Sequence, residues 1–471
     1  MHCNRRPVLG AALAAFFVLA GFGRAAAPET AWNAPHAGNP VLPGYYADPS
    51  GVQFAGKFYV YATLDPWGGR TLGCWESPDF KHWTYQVLNW PTKEACSSPE
   101  SNAGAAVWAP SVVRAPNGRF FMFVSVGSEV WVGSAAHPLG PWTDAHGGKP
   151  LIGRDYDRAY HMIDAEAFID DDGTAYLYWG SGWNWVNGRC YAVKLKSDFV
   201  TFDGEVQVVT PAGGHYFEGP FMAKRGGRYF LMYSDGVTMR DTYCVHYAVG
   251  ATPFGPFTEA ANSPILATDR ARDIVSPGHH AVFRYAGRDF IAYHRHRLPF
   301  VTETAYRQLC VDEIEFTADG RIEKVTPTHA GPALVQGRAE PHNLATAAIA
   351  TASSQLDEFH GAAAVLDDNY ATGWEPAANT PGGWLQLDLG AVMLVHRSEL
   401  RFEYAWKSYA VALEASVDGK IWQTLVDHRT DGGVTGSPIG FAKPARARYL
   451  RLQFAETLKN EPVAVIEWAV F

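Results

Sequence analysis

The sequence has few cysteines, few charged residues and no excess of positive charge. Its 471 residues include six cysteines and 18% charged residues, with 39 Lys and Arg against 48 Asp and Glu, for a formal net charge of −9. Because no basic surface is indicated, neither nucleic acid nor an anionic membrane is an expected partner. A neutral partner fits this charge balance better.

The cysteines exclude a disulfide-rich scaffold. Cys3 lies in the N-terminal segment, and the other five are widely spaced and odd in number, with no CxxC pair for a metal. A bridge between Cys74 and Cys96 and fully reduced, buried thiols are both compatible with this spacing. No catalytic role is assigned to cysteine.

Long apolar runs are missing except at the N-terminus. Arg5 and Arg6 precede the apolar stretch 8–22, and small residues follow it. This pattern is typical of a signal peptide, predicted over residues 1–26, because the run is too short and too rich in alanine for a membrane span. The protein is therefore expected to be secreted or periplasmic, and the arginine pair leaves Sec and Tat export open.

Aromatic residues are abundant, and many of them fall in a repeat. A small or polar residue is followed eight or nine positions later by Gly and then by a short aromatic segment. The five units begin at Asp48, Pro110, Asp164, Glu218 and His279 and recur at intervals of 54–62 residues. This period, with short strands and turn glycines, predicts a five-bladed β-propeller. A further strand is expected to close the ring against the first blade, because an open sheet edge invites aggregation.

The propeller repeat ends before residue 330, and a different pattern follows. Residues 27–330 are predicted to form the propeller, and residues 331–342, in a stretch rich in Ala, Gly and Pro, are predicted to be a linker. Residues 343–471 contain short alternating segments separated by turn signals, which predicts a β-sandwich. The predicted fold class is therefore all-β, in two domains.

Three of the five repeat units carry a carboxylate at nearly the same position. The innermost strands of a propeller meet at one axis, so Asp48, Asp164 and Glu218 are expected to face each other in one pocket. Neighbouring carboxylates raise each other's pKa, a cost that indicates use in chemistry. Cleavage of a glycosidic bond needs a protonated acid and an ionised base, and a third carboxylate can keep the acid protonated.

Each acid also has a plain structural interpretation. Asp48 precedes a proline and could be a turn residue, and Glu218 precedes two turn formers. Asp164 has Glu166 two positions further on, and both are expected to face the same side of a strand, so the pattern does not choose between them. Their common phase in the repeat is what favours the catalytic hypothesis.

The ordered motifs resemble family 43 of the glycoside hydrolases. The matching segments are 46–50 (YADPS), 107–112 (VWAPSV), 163–168 (IDAEAF), 217–220 (FEGP) and 276–280 (SPGHH). The resemblance implies a five-bladed propeller and an inverting hydrolase that releases α-L-arabinofuranosyl or β-D-xylosyl residues from plant-type polysaccharides or oligosaccharides. By position, Asp48 matches the general base, Glu218 the general acid, and Asp164 the residue that orients the acid and raises its pKa.

Two details qualify this assignment. Ala165 stands where the family commonly has a proline, which weakens the match at Asp164. Inversion needs room for a water molecule between base and sugar, so the carboxyl groups of Asp48 and Glu218 are predicted to lie about 6.5–9.5 Å apart.

The same resemblance implies substrate contacts for Trp108, Arg307 and His279. Trp108 matches an aromatic residue beside the sugar, although it could be a core residue, and Arg307 matches an arginine that reaches the sugar, although it could be ion-paired at the surface. His279 matches an axial histidine that in relatives helps to hold a calcium ion or water. No cofactor is expected to be required. A calcium ion at the propeller axis near His279 is compatible with the resemblance, but imidazole is not a typical calcium ligand.

The remaining histidines do not predict a metal site. His280, His294 and His296 lie close together in the sequence, but their spacing and the absence of a companion Cys or acidic motif do not match a zinc site. No metal ligand is therefore assigned.

Residues 343–471 resemble the discoidin or coagulation factor 5/8 type C family, which includes carbohydrate-binding modules. The matching segments are 350–354, 364–368, 372–374, 384–390 and 416–419. The resemblance implies a jelly-roll, galactose-binding-like sandwich. Trp374 and Trp422 are expected in its core, with a sugar-binding platform as the alternative. A tethered module of this kind raises the local concentration of an enzyme at a polysaccharide.

Two alternatives keep the same propeller. The same acids would serve a hydrolase specific for galactan or galactofuranosides. A non-catalytic sugar-binding propeller is the other alternative, and the presence of all three acids argues against it. The expected partner in each case is an oligosaccharide or polysaccharide, and the protein is expected to be a monomer.

Overall fold

The structure, a computed structural model, describes residues 31–99, 106–213, 215–332, 334, 342–377, 383–455 and 463–471. The predicted signal peptide and most of the predicted linker lie outside the described residues. No helix among the described residues is long and apolar enough to cross a membrane. The described chain is built from strands and three short 3₁₀ helices, which confirms the predicted all-β class.

Residues 46–313 form five antiparallel sheets, each made of strands that are consecutive in the sequence. The first contains β1 (Tyr46–Phe54), β2 (Lys57–Leu64), β3 (Gly73–Ser77) and β4 (Thr84–Gln86). The second contains β5 (Val107–Arg114), β6 (Phe120–Val126), β7 (Glu129–Ala135) and β8 (Thr143–Asp144). The third contains β9 (Glu166–Ile169), β10 (Ala175–Trp179), β11 (Tyr191–Leu195) and β12 (Gln207–Val208).

The fourth sheet contains β13 (Glu218–Arg225), β14 (Arg228–Asp235), β15 (Cys244–Gly250) and β16 (Thr258–Glu259). A 3₁₀ helix η1 (Arg270–Arg272) precedes the fifth sheet, which contains β17 (Gly278–Tyr285), β18 (Arg288–His296) and β19 (Arg307–Glu313). The first strands of the sheets, β1, β5, β9, β13 and β17, contact one another in that order, and β17 contacts β1. This ring around a central axis is the predicted propeller.

The second strand of each sheet is covered on both faces by the neighbouring sheets. All seven residues of β6 are buried, and so are the last seven of the eight in β2. A strand buried on both faces reads as a nearly continuous apolar run. Large aromatic side chains fill the gaps between consecutive sheets, and Trp75, Trp131, Trp142 and Trp179 are fully buried there.

The ring is closed by the chain segment before β1. The Val41 N–H donates to the Leu309 carbonyl on β19 at 2.8 Å, and the Asn39 side-chain amide donates to the Val311 carbonyl at 3.0 Å. The outer edge of the fifth sheet is thereby covered, as an exposed edge requires. The segment after β19 packs elsewhere, since the Val325 N–H donates to the Ile265 carbonyl at 2.8 Å.

The C-terminal region is a β-sandwich. Its elements are η2 (Leu344–Ala347), β20 (Ile349–Ala352), η3 (Ala362–Leu366), β21 (Trp384–Val395), β22 (Ser398–Phe402), β23 (Val411–Ser416), β24 (Gln423–Asp427), β25 (Ile439–Phe441), β26 (Ala445–Phe454) and β27 (Val465–Val470). One sheet has the order β20-β21-β26-β23-β24 and the other β25-β22-β27. Trp374 is fully buried between them, as predicted. Trp422 is half-buried instead, and the Arg451 guanidinium covers its ring at 3.9 Å, so its expected core position was wrong.

The two domains share apolar residues at their contact. Tyr45, just before β1, belongs to the core of the sandwich, and Ala405 of the sandwich packs among apolar residues of the first and fifth propeller sheets. Gly44 has φ +100°, and a Cβ there would lie 2.0 Å from the Glu403 carbonyl oxygen. The sandwich is therefore packed against the propeller, whereas a tethered module was expected.

The five cysteines of the described chain, Cys74, Cys96, Cys190, Cys244 and Cys310, are buried free thiols. Cys74 and Cys96 belong to one apolar cluster between the first two sheets. Of the two arrangements compatible with the sequence, the structure has the reduced one.

Candidate functional site

The same unusual backbone conformation recurs at the start of the first strand of each propeller sheet. One residue per sheet adopts a left-handed conformation, and in four of the sheets it falls in a break of the strand register. These residues are Asp48 (φ 53°), Ala109 (φ 43°), Asp164 (φ 58°), Gly219 (φ 59°) and His279 (φ 38°). Left-handed non-glycine residues cost about 1–3 kcal/mol each and collect at functional sites.

Side chains of the preceding sheet hold most of these residues. The Ala109 N–H donates to Thr63 Oγ1 at 2.8 Å, and the Asp164 N–H donates to Ser125 Oγ at 3.0 Å. The His279 N–H donates to Ser234 Oγ at 2.9 Å, and the Asp48 N–H donates to His294 Nδ1 at 3.4 Å. Each acceptor stands in the second strand of its sheet, beside the register break. Such bonds, worth about 1 kcal/mol each, help to offset the backbone strain. The Gly219 N–H differs, because it donates to the Asp164 carboxylate at 3.2 Å.

This register corrects the predicted phase of the acids. Asp48 and Asp164 occupy the left-handed position, but Glu218 comes one residue before it, and Gly219 fills the position in the fourth sheet. Glu218 is paired with Ser234 on β14, as Trp108 is paired with Ser125 on β6. Glu218 of the fourth sheet and Trp108 of the second sheet therefore occupy equivalent positions in the repeat.

All six residues that the sequence assigned to the site line one cavity. Asp48, Trp108, Asp164, Glu218, His279 and Arg307 surround a space of about 560 Å³. This volume lies within the range of about 300–1,000 Å³ that is usual for small-molecule sites. The geometry therefore brings residues from all five sheets to one pocket.

Asp48 is a buried carboxylate surrounded by cationic and hydrogen-bonding groups. Thr63 Oγ1 donates to its Oδ2 at 2.6 Å, and Arg307 Nη1 donates to its Oδ1 at 3.2 Å. The Nδ1 atoms of His279 and His294 lie 3.2 and 3.3 Å from the same Oδ1. Burial by itself would raise the pKa of Asp48, but Arg307, followed by His279 and His294, holds the pKa well below its usual range. Asp48 is therefore ionised at neutral pH.

Arg307 is fixed by a second buried acid that the sequence did not reveal. Its Nε and Nη2 donate to the two oxygens of Asp65 at 2.8 and 2.6 Å, and its backbone N–H donates to Asp65 Oδ2 at 2.8 Å. The Trp67 ring covers the guanidinium at 5.1 Å. Such a forked, bidentate pair gives Arg307 one defined orientation. The arginine is thus ion-paired, but inside the cavity wall and not at the surface.

Glu218 has the opposite electrostatic environment. Burial raises its pKa to about 7, and the charge of Asp48 adds to this, although hydrogen bonds from Tyr243 and Ser181 act against the rise. Tyr243 Oη donates to Oε1 at 2.7 Å and Ser181 Oγ donates to Oε2 at 3.0 Å. Glu218 is therefore poised to exchange a proton near neutral pH.

Asp164 and Glu218 form a coupled pair. Burial, then the charges of Glu218 and Asp48, raise the pKa of Asp164 well above its usual range. Since both pKa values are raised, the pair retains a proton at neutral pH. Asp164 Oδ2 accepts from the N–H of Gly219, the residue next to Glu218, so it also fixes the backbone that carries the acid.

Glu166 does not compete with Asp164 for the site. It faces a second cavity of about 230 Å³ among the first strands, away from the main one. The expectation that both acids face the same side was wrong, because Asp164 precedes β9 in a left-handed conformation and strand alternation begins only at Glu166. Burial raises the pKa of Glu166 to about 8.

His279 stands between the acids. Its Nδ1 lies 3.2 Å from Asp48 Oδ1 and 3.7 Å from Asp164 Oδ2, and burial lowers its pKa. Asp164, Glu218 and His279 offer ligand atoms within 4.8 Å of one another. This donor set does not fit calcium, which takes six to eight oxygen ligands, because it supplies one imidazole and two carboxylates. Both oxygens of Glu218 also already accept hydrogen bonds.

Aromatic side chains form the outer wall of the cavity. The Trp108 indole N–H donates to the Gly127 carbonyl at 3.0 Å and its ring meets that of His161, which stacks on Trp183 at 4.2 Å. Trp67 and Trp183 are each 37% exposed. Exposed rings beside convergent polar groups suit the flat apolar faces of sugars.

Several of these residues were missed from the sequence. Trp183 and Trp185 lie in the segment 180–188 (GSGWNWVNG), and two tryptophans in a turn-like composition signal a surface role, because a turn has no core of its own to bury them. Tyr243, Ser181 and Asp65 carried no comparable signal, since each becomes part of the site only through packing.

Comparisons with known proteins agree with this geometry. The model of "Glycosyl hydrolases family 43" matches residues 37–322, and the "F5/8 type C domain" matches residues 349–468. The chain is 34% identical over 319 residues to "Beta-D-galactofuranosidase xynD" of Aspergillus niger, covering 64% of this chain and 88% of that protein. It is 27% identical over 348 residues to an "Arabinoxylan arabinofuranohydrolase" of Bacillus subtilis, covering 62% of this chain and 65% of that one. The chain thus spans slightly less than two thirds of that second relative.

A solved structure described as "Glycoside hydrolase" matches both domains. It has a TM-score of 0.78 and 28% identity, and the match covers 94% of this chain and 100% of that one. A likeness of this extent includes the sandwich as well as the propeller.

Proposed function

The chain belongs to family 43 of the glycosyl hydrolases, with a C-terminal F5/8 type C domain, and from this premise we propose that it releases α-L-arabinofuranosyl or β-D-xylosyl residues from plant-type polysaccharides or oligosaccharides with inversion. Membership of the family establishes that the protein is a glycoside hydrolase, and the identity of the sugar that it releases is our proposal. Relatives named as arabinofuranohydrolase, xylosidase/arabinosidase and β-xylosidase support it, at 25–27% identity.

One observation carries the mechanism: two carboxyl groups of one cavity have pKa values displaced in opposite directions. The pKa of Asp48 is held well below its usual range, and that of Glu218 is raised to about 7. A hydrolase that inverts needs one ionised carboxylate and one protonated carboxyl on opposite sides of the bond that breaks. The two acids meet the protonation requirement without any metal.

We assign the general base to Asp48. Its Oδ1 accepts from Arg307 and lies 3.2 Å from His279 Nδ1, and its Oδ2 accepts from Thr63, so the carboxylate has one orientation. In the proposed step, Asp48 removes a proton from a water molecule that attacks the anomeric carbon. The separation of about 6.5–9.5 Å from Glu218 stays a prediction of this mechanism.

We assign the general acid to Glu218 and the supporting role to Asp164. Glu218 gives its proton to the departing glycosidic oxygen, and Asp164, sharing the buried environment, keeps that proton available near neutral pH. The hydrogen bond from the Gly219 N–H to Asp164 ties the position of the acid to its neighbour.

A panel of aryl glycosides tests the proposal. Release of 4-nitrophenol is measured from the α-L-arabinofuranoside, β-D-xyloside and β-D-galactofuranoside, for the wild type and for Asp48→Asn and Glu218→Gln. We expect turnover on the first or second substrate and a loss on the order of 1,000-fold or more in each variant. Turnover that survives both substitutions would refute the mechanism, and proton NMR of the first product shows whether the configuration inverts.

A β-D-galactofuranosidase is the second candidate. It is favoured by the 34% identity to the Aspergillus niger protein that carries that name. A galactofuranosyl unit has the furanose ring of an arabinofuranosyl unit with a longer exocyclic chain, so the same acids would serve both. Preference for the galactofuranoside in the panel would replace the first candidate.

We also propose that the protein is exported to the periplasm or the medium and acts as a monomer. The N-terminal segment with the features of a signal peptide and the polymeric nature of the substrate support export. We further propose that the sandwich binds glycan. Sedimentation of the protein with insoluble arabinoxylan or galactan, against buffer alone, tests that binding directly.

A further inference from the structure

A second cluster of ligating side chains lies in the fourth propeller sheet, on its outer strands. The Glu259 carboxylate holds two histidines, with His215 Nδ1 2.8 Å from its Oε2 and His246 Nδ1 2.7 Å from its Oε1. The two imidazole rings stack with their centroids 5.0 Å apart and their planes 18° apart. One ligand atom from each of the three residues lies within 4.8 Å of the others.

The fold brings these residues together from three segments. His246 lies on β15 and Glu259 on β16, where Glu259 pairs with Ala248. Because side chains alternate along a strand, His246, Ala248 and Glu259 share one face of the sheet.

His215 comes from the loop before β13. That loop approaches closely, since a Cβ added at Gly213 would lie 3.1 Å from Glu259 Oε2.

The arrangement differs from the other histidine–carboxylate pairs outside the cavity. His82 with Asp79, His360 with Asp357 and His428 with Asp431 each join residues three positions apart. His36 with Asp368 is an exposed pair with a single histidine, and His360 also lies 3.6 Å from Glu375. Apart from the cavity trio, no other group of three ligating side chains of this compactness occurs among the residues the structure describes. Two imidazoles on opposite oxygens of one carboxylate, contributed by separate segments, are therefore particular to this place.

The surroundings suit an ion more than a hydrogen-bonded triad alone. His246 and Glu259 have side chains only 7% and 13% exposed, whereas His215 is 53% exposed and leaves a path from solvent. The Tyr233 ring stacks on His246 at 5.9 Å, and its hydroxyl is buried without a hydrogen-bond partner. A buried polar atom without a partner marks a place where a ligand or water would be accommodated.

We propose that His215, His246 and Glu259 form a binding site for a zinc-type divalent ion, with water completing the coordination. Two imidazoles and one carboxylate are a donor set that zinc uses, with a fourth, open position. Calcium and magnesium are disfavoured, because they prefer oxygen ligands and two of the three donors here are nitrogen. Each neutral imidazole binds the ion through the Nδ1 lone pair and carries its single proton on Nε2, and an imidazole that was protonated on both nitrogens releases one proton to solvent. No redox partner or co-reactant is involved.

The site would act on the loop that leads to the catalytic acid. His215 is three residues before Glu218, and each of the two residues between them is held by a hydrogen bond. Tyr216 Oη donates to the Gly180 carbonyl at 2.6 Å, and the Phe217 N–H donates to the Ser234 carbonyl at 3.0 Å. An ion on His215 would pin this loop to β15 and β16, so we assign the site a structural role.

Calorimetric titration of the metal-free, full-length protein with zinc chloride at about pH 7.5, above the ordinary pKa of free imidazole, tests the proposal. We expect one equivalent per chain and a rise in the melting temperature with zinc, because a ligand that binds only the folded state stabilises it. His215→Gln and His246→Gln should each weaken binding by more than about tenfold, since losing a ligand costs more than losing an outer partner. His428→Gln, which changes an exposed histidine–carboxylate pair of the sandwich, serves as the control and should bind zinc as the wild type does.

Three outcomes would overturn the proposal. They are the absence of saturable zinc binding, binding that survives both His215→Gln and His246→Gln, and equal weakening by His428→Gln. Because His215 is largely exposed, its variant should keep the circular dichroism and metal-free melting temperature of the wild type. A cobalt titration gives an independent readout, since bound cobalt in a tetrahedral site absorbs visible light and the variants should lose that band.

Discussion

Arg307 and Asp48 form a buried ion pair at the propeller axis, with Nη1 3.2 Å from Oδ1. The other guanidinium nitrogens are taken by Asp65, so the arginine serves two carboxylates at once. A lysine can hold neither acid in this forked manner. The state of the proposed base therefore depends on a residue on β19, far away in the sequence.

Arg307→Lys should reduce kcat/KM on the preferred aryl glycoside on the order of 100-fold, because small displacements of a catalytic group cost that much. The acidic limb of the pH profile should also move to higher pH. The sign follows from the pKa: Arg307 lowers the pKa of Asp48, and a lysine, whose single nitrogen would pair with Asp65, stabilises the Asp48 carboxylate less. That pKa therefore rises, and the base becomes ionised only at higher pH. The exposed Arg284→Lys is the control, and an unmoved acidic limb in Arg307→Lys would contradict the assignment of Asp48.

Tyr243→Phe tests the acid. The phenol donates to Glu218 Oε1 at 2.7 Å, and this bond lowers the pKa of Glu218 by stabilising its charged form. Removing the hydroxyl should raise that pKa, so the basic limb of kcat/KM, expected near pH 7 in the wild type, should move to higher pH. Tyr178→Phe removes a hydroxyl bonded to the Pro253 carbonyl instead and should leave the limb in place. A basic limb that does not respond to Tyr243→Phe would show that another group titrates there.

Glu218→Gln should make the protein inactive and, at alkaline pH, more stable. The folded-state pKa of Glu218 is about 7 against an ordinary value of 4.5, so the stability of the wild type falls as pH rises between these values. Glutamine does not ionise and removes that loss. Thermal unfolding at pH 5 and pH 8 measures it: the melting temperature of the variant relative to wild type should increase with pH. A difference that is the same at both pH values would argue against a raised pKa.

The repeat in the sequence predicted the propeller and the meeting of Asp48, Asp164 and Glu218 at its axis, and the alternating segments after the repeat predicted the sandwich. Trp108, Arg307 and His279 were assigned only through the family resemblance, and the structure places them in the same cavity. Asp48 and Asp164 take the left-handed position at the start of their sheets, and the aromatic second strands are almost continuously apolar because both faces are buried. Asp65 and Tyr243 left no local signal, since their roles depend on Arg307 and Glu218 folding beside them. The choice between Asp164 and Glu166 needed the left-handed backbone at Asp164, which a period-two pattern does not contain.

Two glycines separate backbone strain from contact at the site. Gly219 (φ 59°) and Gly226 (φ 57°) have nearly the same conformation, but a Cβ at Gly219 would lie 3.3 Å from the His279 ring, and one at Gly226 would meet nothing within 4 Å. Alanine at either position should cost about 1 kcal/mol or more in stability. Only Gly219→Ala should also reduce kcat, by displacing His279 and the bond to Asp164. Equal kcat values for the two variants would show that the contact has no catalytic consequence.

The contact between the domains predicts that they unfold together. Arg297 of the propeller donates to Tyr45 Oη at 2.9 Å, lies over the Tyr306 ring at 4.2 Å and pairs with Glu375 of the sandwich at 3.5 Å. Tyr45 lies three residues before Asp48, and Tyr306 directly precedes Arg307. The sandwich thus packs on the segments that carry the proposed base and its arginine, and calorimetry should show one unfolding transition.

Gly44→Ala is the variant that tests this coupling. Its Cβ would clash with the Glu403 carbonyl at 2.0 Å, whereas Gly56→Ala, also at positive φ, would meet nothing within 4 Å. We expect Gly44→Ala to lower the melting temperature clearly more than Gly56→Ala, with a shift of about 1 °C for each kcal/mol, because the unfolding entropy grows with the length of the cooperative unit. It should also lower kcat, since the displaced segment leads directly into Asp48. Two separate transitions, with wild-type kcat in Gly44→Ala, would instead mean that the sandwich is a tethered module whose contacts do not reach the catalytic base.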